Sequence, residues 1–170
     1  MHNRIKFENF PSNSGYYICN VDVQTKKEKY NDTNLFWEVN KAFKLLPLSA
    51  VIDNQYFCCH GGLSLDGESN CGNACSVQQI SCVKRQMAAS DNGLMADLLW
   101  SDPNNENVHE WELNPRGAGW LFSENVTKKF LRNNKLEKII RSHQLVMEGF
   151  TYMHDNKLLS IFSAPNYVYR

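Results

Sequence analysis

Ile139-Ile140-Arg141-Ser142-His143-Gln144-Leu145-Val146-Met147-Glu148-Gly149-Phe150, running on to Ser163-Ala164-Pro165-Asn166-Tyr167, is the stretch from which the fold is read. A short apolar run at Ile139-Ile140 ends in the polar pair His143-Gln144, and Leu136 to Ser142 leads into the strand that ends at His143. Beyond it, Phe150, Tyr152 and His154 alternate with Thr151 and Met153, Asp155-Asn156 turns the chain, and Leu158 to Phe162 pairs back as a hairpin. This pattern sets His143 at a sheet edge and returns the chain to a Ser-Ala-Pro-Asn-Tyr loop. A single histidine after a strand is ordinarily a hydrogen-bonded structural residue, so its company elsewhere in the chain decides its meaning. His154, beside the turn, reads as a surface residue.

Working outward, Ser123 can cap a helix through about Asn133, with Glu124 at its positive end and Val126, Phe130 and Leu131 facing inward. Asn31, Asp32 or Thr33 can cap an earlier helix. There Leu35, Val39, Ala42, Phe43 and Leu46 form one core-packing stripe, widened by Phe36 and Trp37, and Pro47 ends it. Ser49 to Ile52 and Gln55 to Cys59 read as a tight hairpin, because Asp53-Asn54 tolerates the positive φ that such a turn requires. Its second strand delivers His60, and Gly61-Gly62 follow where the backbone turns and something can approach closely. Leu94 to Trp100 is apolar and ends in Ser101-Asp102-Pro103, where the proline forces extended or turn geometry on Asp102. Asn104 to Trp111 reads as a surface loop. Pro115-Arg116-Gly117-Ala118-Gly119 then sets one guanidinium among small residues, a planar fork that matches two phosphate oxygens.

With 170 residues, 42% of them hydrophobic, the chain is the size of one domain with one substantial core. Eighteen basic residues balance eighteen acidic ones, so no global field holds nucleic acid or an anionic membrane, and any anion site must be local. Met1-His2-Asn3-Arg4 opens a polar segment without the apolar stretch of a signal peptide, and no run of eighteen apolar residues follows. The expectation is a cytoplasmic protein, with the nucleus as a second compartment. Six cysteines in such a setting read as thiols. Cys71, Cys75 and Cys82 lie in a Cys-, Asn- and Ser-rich insertion, residues 66–92, in which Val77, Ile80, Val83 and Met87 mark a helix. Zinc on these three thiols plus a distant ligand is the weaker reading, because structural zinc takes four ligands in tightly spaced pairs.

Arg141-Ser142-His143-Gln144, Ser163-Ala164-Pro165-Asn166-Tyr167, Cys59-His60-Gly61-Gly62-Leu63-Ser64 and Leu98-Leu99-Trp100-Ser101-Asp102-Pro103 together resemble the phosphoprotein phosphatase family, the dinuclear-metal serine/threonine phosphatases. Asn114-Pro115-Arg116-Gly117-Ala118-Gly119 and His143-Gln144-Leu145-Val146-Met147-Glu148-Gly149 look closest to its protein phosphatase 2A branch. The motifs run in the family's order over residues 25 to 170.

The resemblance implies an α/β fold: a metallophosphoesterase-type β-sandwich flanked by helices, of which this chain holds the second half only, built from hairpins rather than from repeated parallel crossovers. Residues 1–24 are expected as a loop-rich lead-in and 25–170 as a partial calcineurin-like phosphoesterase domain. It implies two divalent metals (manganese, iron or zinc), with His60 and His143 ligating the same one and ligands for one ion at most in this chain. Arg116 would clamp phosphate, and Tyr167 with Trp100 would line the substrate groove. Asp53, Asp97 and Asp102 are reserve candidates for completing the metal site. Phosphoprotein substrates, with scaffold and regulatory subunits, are the implied partners.

The family's Gly-Asp-x-His-Gly, Gly-Asp-x-Val-Asp-Arg-Gly and Gly-Asn-His-Glu motifs, which carry its metal-bridging carboxylates, its acid histidine and a further phosphate arginine, do not occur in these 170 residues. No catalytic residue in the strict sense is therefore assigned. The chain is expected to be an internal or C-terminal portion of a phosphatase catalytic subunit. Its rival is a catalytically inactive phosphatase-like binding module that sequesters phosphoproteins or regulatory subunits.

Overall fold

The computed structural model describes residues 5–8 (backbone only), 34, 38, 41–42, 46–65, 74–83, 93–106 and 109–167. Two sheets organise them. The larger has the strand order β1-β2-β3-β7-β9-β8, with β1 at Ile5–Glu8, β2 at Ser49–Ile52, β3 at Tyr56–Cys59, β7 at Lys138–Arg141, β8 at Phe150–Met153 and β9 at Leu158–Ile161. The smaller has the order β4-β6-β5, from Asp102–Pro103, Trp111–Leu113 (β5) and Trp120–Phe122 (β6). Among the described residues, helices accompany them at Val77–Ser81 (α1), Leu94–Trp100 (α2) and Glu124–Asn134 (α3).

Both hairpins read from the sequence are present. Asp53 and Asn54 have φ of 54° and 55°, and Gln55 N–H closes the β2–β3 turn on the Ile52 carbonyl at 3.0 Å. β8 and β9 pair antiparallel, with Phe150 opposite Ile161. The expectation of hairpins rather than repeated parallel crossovers holds for β2–β3 and β8–β9, while β7 lies parallel to both β3 and β9. The sequence between β3 and β7 carries α1, α2, the small sheet and α3, which is long enough for the crossover that parallel strands require.

Alternation sorts the larger sheet into two faces. Val51, Phe57, Ile139 and Leu158 fall in register on the buried face, where they pack with Leu98, Phe122, Val126, Phe130 and Leu131. Phe122 comes from β6, so the two sheets share one core. α3 closes it as expected: the Ser123 hydroxyl accepts from Val126 N–H at 3.5 Å, and Lys135, with φ of 56°, ends the helix in the left-handed region. In the helix expected from about residue 33, Asn34, Glu38, Lys41 and Ala42 are helical. Leu46 from its proposed core stripe is 44% exposed, and Leu35, Phe36, Trp37, Val39 and Phe43 lie outside the described residues.

His154 is a correction: it is 2% exposed, not a surface residue. It sits in the β8–β9 turn with Asp155 and Asn156, all three at positive φ, and its ring turns inward against α3. The Nε2 lies 3.2 Å from the Asn104 carbonyl, which can only accept, so Nε2 carries the proton. Nδ1 therefore accepts from the Thr127 hydroxyl at 2.8 Å. Burial lowers the pKa of this imidazole, so it is neutral in the fold.

Backbones meet closely where β3, α2 and the β5–β6 loop converge. A Cβ on Gly61 would lie 2.5 Å from the Leu99 carbonyl carbon. One on Gly119, at φ of 74°, would lie 2.6 Å from Ser101 N and 2.7 Å from the Trp100 carbonyl carbon. Only a residue without a side chain lets these segments touch.

Two outcomes follow for stability. Gly119→Ala should cost about 2 kcal/mol or more, lowering Tm by about 5 °C or more, whereas Gly117→Ala, at φ of 87° in open space, should cost only the backbone term of about 1 kcal/mol. Equal losses would mean that the Gly119 contact is not tight. Because His154 is held below its unfolded pKa of about 6.5, its contribution is present above that pH and is lost as pH falls. In chelator, Tm should drop between pH 7.5 and 5.5, and His154→Asn, which tolerates the left-handed backbone, should flatten part of that drop. An unchanged pH dependence in the variant would contradict the neutral buried ring.

Candidate active site

His60 follows β3 directly, and His143 lies two residues beyond the end of β7, which is parallel to β3. Parallel neighbours end on the same side of a sheet, so the two loops emerge together. Ser142 N–H donates to the His60 carbonyl at 3.0 Å, fastening one loop to the other. His143 itself has φ of 71°, and Gln144 N–H reaches back to the Ser142 carbonyl at 2.9 Å. That is a three-residue γ-turn of the rare, strained hand, a conformation kept at functional sites when the surroundings enforce it.

The result is that His143 Nδ1 stands 3.3 Å from His60 Nε2. This separation fits two imidazole nitrogens converging on one ion at about 2.1 Å each. His143 Nε2 is buried without a hydrogen-bond partner. Burial and the Arg141 guanidinium lower the pKa of His60, against the pull of Asp102. Burial lowers that of His143 to about 4, with Asp102 opposing and Arg141, His60 and Arg116 adding to the shift. Both rings are neutral near pH 7, the protonation state in which imidazole offers a lone pair.

What enforces this geometry is Arg141, whose side chain is fully buried. Its Nε donates to the Gly61 carbonyl at 2.5 Å, Nη1 to Gln144 Oε1 at 2.9 Å, and Nη2 to both the Ser101 carbonyl at 3.1 Å and Asp102 Oδ1 at 2.8 Å. One guanidinium thus binds the His60 loop, the His143 loop and the end of α2. Asp102 faces it with a second set of donors: Oδ2 accepts from Arg116 Nε at 2.8 Å and from Asn114 Nδ2 at 3.1 Å. Burial alone would raise the Asp102 carboxyl. Arg141 and the hydrogen bonds from Asn114, Arg116 and Arg141 outweigh it and hold the carboxyl below its ordinary range.

Arg116 therefore reaches the site with its Nε engaged and its side chain 42% exposed. Asn114 shapes the loop beneath it, accepting from Arg116 N–H at 3.0 Å and donating to the Trp100 carbonyl at 3.0 Å. Trp100 packs edge-on against His143, with ring centroids 5.3 Å apart. Tyr167 stacks edge-on to Phe162 at 5.1 Å and lines a groove of about 240 Å³, whose far wall is Leu145, Val146 and Met147.

The site residues read from the sequence are thus brought together in two groups: His60, His143, Trp100 and Arg116 in one, and Tyr167 on the groove that begins two residues past His143. The reserve carboxylates do not join them. Asp102 is committed to two arginines, and the buried Asp97 accepts from Ser64 Oγ at 2.6 Å, with burial raising its pKa. Asp53 is exposed in the β2–β3 turn. Cys59, beside His60, is pushed up to about 12 by burial and stays a thiol. Among the described residues no three His, Cys, Asp or Glu side chains are grouped to hold a metal. Cys75 is buried, Cys82 is exposed, and Cys71 lies outside the described residues. Asn114 and Arg141 were missed as site residues. An Asn before Pro-Arg-Gly signals a side-chain-capped turn, and an Arg in line with Ile139 on a strand signals a buried charge in need of a partner.

A family model for calcineurin-like phosphoesterases matches residues 19–147. The serine/threonine-protein phosphatase 4 catalytic subunit of Kluyveromyces lactis is 46% identical over 142 residues, covering 84% of this chain and 43% of that protein. The serine/threonine-protein phosphatase 6 catalytic subunit of Drosophila melanogaster is 44% identical over 142 residues, covering 84% of this chain and 44% of that one. A solved protein serine/threonine phosphatase from Saccharomyces cerevisiae shares the fold with a TM-score of 0.72 at 35% identity, over 85% of this chain and 42% of its own. The chain spans less than half the length of these relatives. With a family match over most of its length, it belongs to the calcineurin-like phosphoesterase family.

Proposed function

We propose that this chain carries the phosphate-binding, two-histidine side of a serine/threonine protein phosphatase catalytic subunit, which hydrolyses phosphomonoesters on proteins with divalent metal. The observation that carries the reading is the convergence of His143 Nδ1 and His60 Nε2 at 3.3 Å beside a tethered, exposed arginine. His60 and His143 would hold one ion between them, which supplies a Lewis acid for a phosphoryl oxygen or a bound water. Arg116 would take phosphate oxygens on its terminal nitrogens, because its Nε is already spent on Asp102. Trp100 would wall the pocket, and Tyr167 would contact the residues flanking the phosphorylated side chain. The relatives named above are phosphatase 4 and 6 catalytic subunits, and the Arg116 and His143 loops favour placement near the protein phosphatase 2A branch. Regulatory subunits and a cytoplasmic or nuclear setting belong to this proposal.

One observation favours the second reading, a non-catalytic phosphoprotein-binding module. Both oxygens of Asp102, the carboxylate whose charge acts on both imidazoles, are occupied by guanidinium donors and are not available to a metal. In-line attack on phosphorus needs a metal-held hydroxide positioned by carboxylates, so binding by these residues should outlive turnover.

Isothermal titration should find manganese binding that His60→Ala and His143→Ala each weaken at least about tenfold. Phosphopeptide binding should weaken about tenfold or more in Arg116→Ala, the loss expected for a charge-assisted pair. Hydrolysis by the 170-residue chain should stay near background. Phosphopeptide affinity untouched by Arg116→Ala would overturn the site. Robust hydrolysis abolished by His60→Ala would overturn the binding-only behaviour in favour of a complete metal centre.

A further inference from the structure

The Arg141 side chain is fully buried, yet it bonds to the Gly61 carbonyl beside His60, to Gln144 beside His143 and to the carboxylate that holds Arg116. Its Nη2 holds Asp102 Oδ1 at 2.8 Å, and the other oxygen of the same carboxylate holds Arg116 Nε at 2.8 Å. The three charges form a cation–anion–cation ladder that runs from the core to the surface, with side-chain exposures of 0%, 3% and 42%.

Two consequences follow from the arithmetic of charge. A lone Asp102–Arg116 pair would be neutral, and a phosphate approaching Arg116 would meet an attraction cancelled by the carboxylate behind it. With Arg141 present the carboxylate is shared, the ladder keeps a net positive charge, and the exposed end keeps its field. The second consequence is geometric. Asp102 sits on a strand of two residues, and its carboxylate is fixed from three sides by Arg141, Arg116 and Asn114. The Nε–Oδ2 bond ties the Arg116 fork to that fixed carboxylate.

We propose that Arg141 is a positioning residue for phosphate recognition, acting through Asp102 to orient Arg116 and to preserve its positive charge. The proposal rests on the reading of Arg116 as the phosphate arginine, and a double-mutant cycle separates the two. With manganese saturating, the affinity for inorganic phosphate is measured by isothermal titration in the wild type, Arg116→Ala, Arg141→Gln and the double variant. Each variant is first required to melt cooperatively.

Arg116→Ala and Arg141→Gln should each weaken phosphate binding about tenfold, and the double variant should be no weaker than Arg116→Ala alone beyond about twofold, because both act on one contact. Arg141→Lys, which keeps the charge but not the four-way hydrogen bonding, should recover part of the loss. It carries the test if the glutamine variant fails to fold. Wild-type phosphate affinity in a folded Arg141 variant, or losses that multiply in the double variant, would overturn the positioning role while leaving Arg116 in place. Wild-type affinity in Arg116→Ala would overturn both.

Discussion

A guanidinium buried at the end of β7 is expensive to desolvate, and the fold around the site is arranged so that Arg141 has a partner for each of its nitrogens. Removing one member of such a buried pair costs about 3–5 kcal/mol, because the other charge is left in low dielectric. The same bonds fix three loops that local propensity would leave free. The His60 loop is held by its Gly61 carbonyl, the His143 loop by Gln144, and the end of α2 by Ser101 and Asp102. Specificity of arrangement, more than net stability, is what this ionic junction supplies.

The close approach of backbones serves the same end. Gly61 and Gly119 allow the chain to pass within contact of Leu99, Trp100 and Ser101, and the carbonyls thereby exposed become acceptors for Arg141 and Asn114. Strain is accepted where geometry matters: His143 is held in a left-handed γ-turn that turns its Nδ1 toward His60. Burial then keeps both imidazoles neutral near pH 7, so the site offers lone pairs rather than protons. Arg116 stands beside them with its side chain 42% exposed and its Nε held by Asp102.

Local features of this chain were legible from sequence because their causes are local. Asp53-Asn54 gave the turn, Ser123 the helix cap, and Pro103 the extended Asp102, each acting over two to four residues. The family motifs marked His60, His143, Arg116 and Trp100, and the fold brings these four together. Long-range pairing was not legible: nothing in the periodicity of β7 says that it lies parallel to β3 and β9. His154 read as exposed because it borders a turn, whereas Thr127, 27 residues earlier in the chain, draws it inward. Arg141 escaped notice because its alignment with Ile139 names no partner, and its counterion lies 39 positions away.

If the junction at Arg141 brings two imidazoles, far apart in sequence, onto one ion, then manganese added to the chain should carry both. Pulsed electron paramagnetic resonance of manganese added to the chain counts the nitrogens bound to the metal directly. The account predicts couplings from two imidazole nitrogens on a single ion, falling to one in His143→Ala. A spectrum with no imidazole nitrogen, or with one nitrogen that the His143 substitution leaves unchanged, would contradict it.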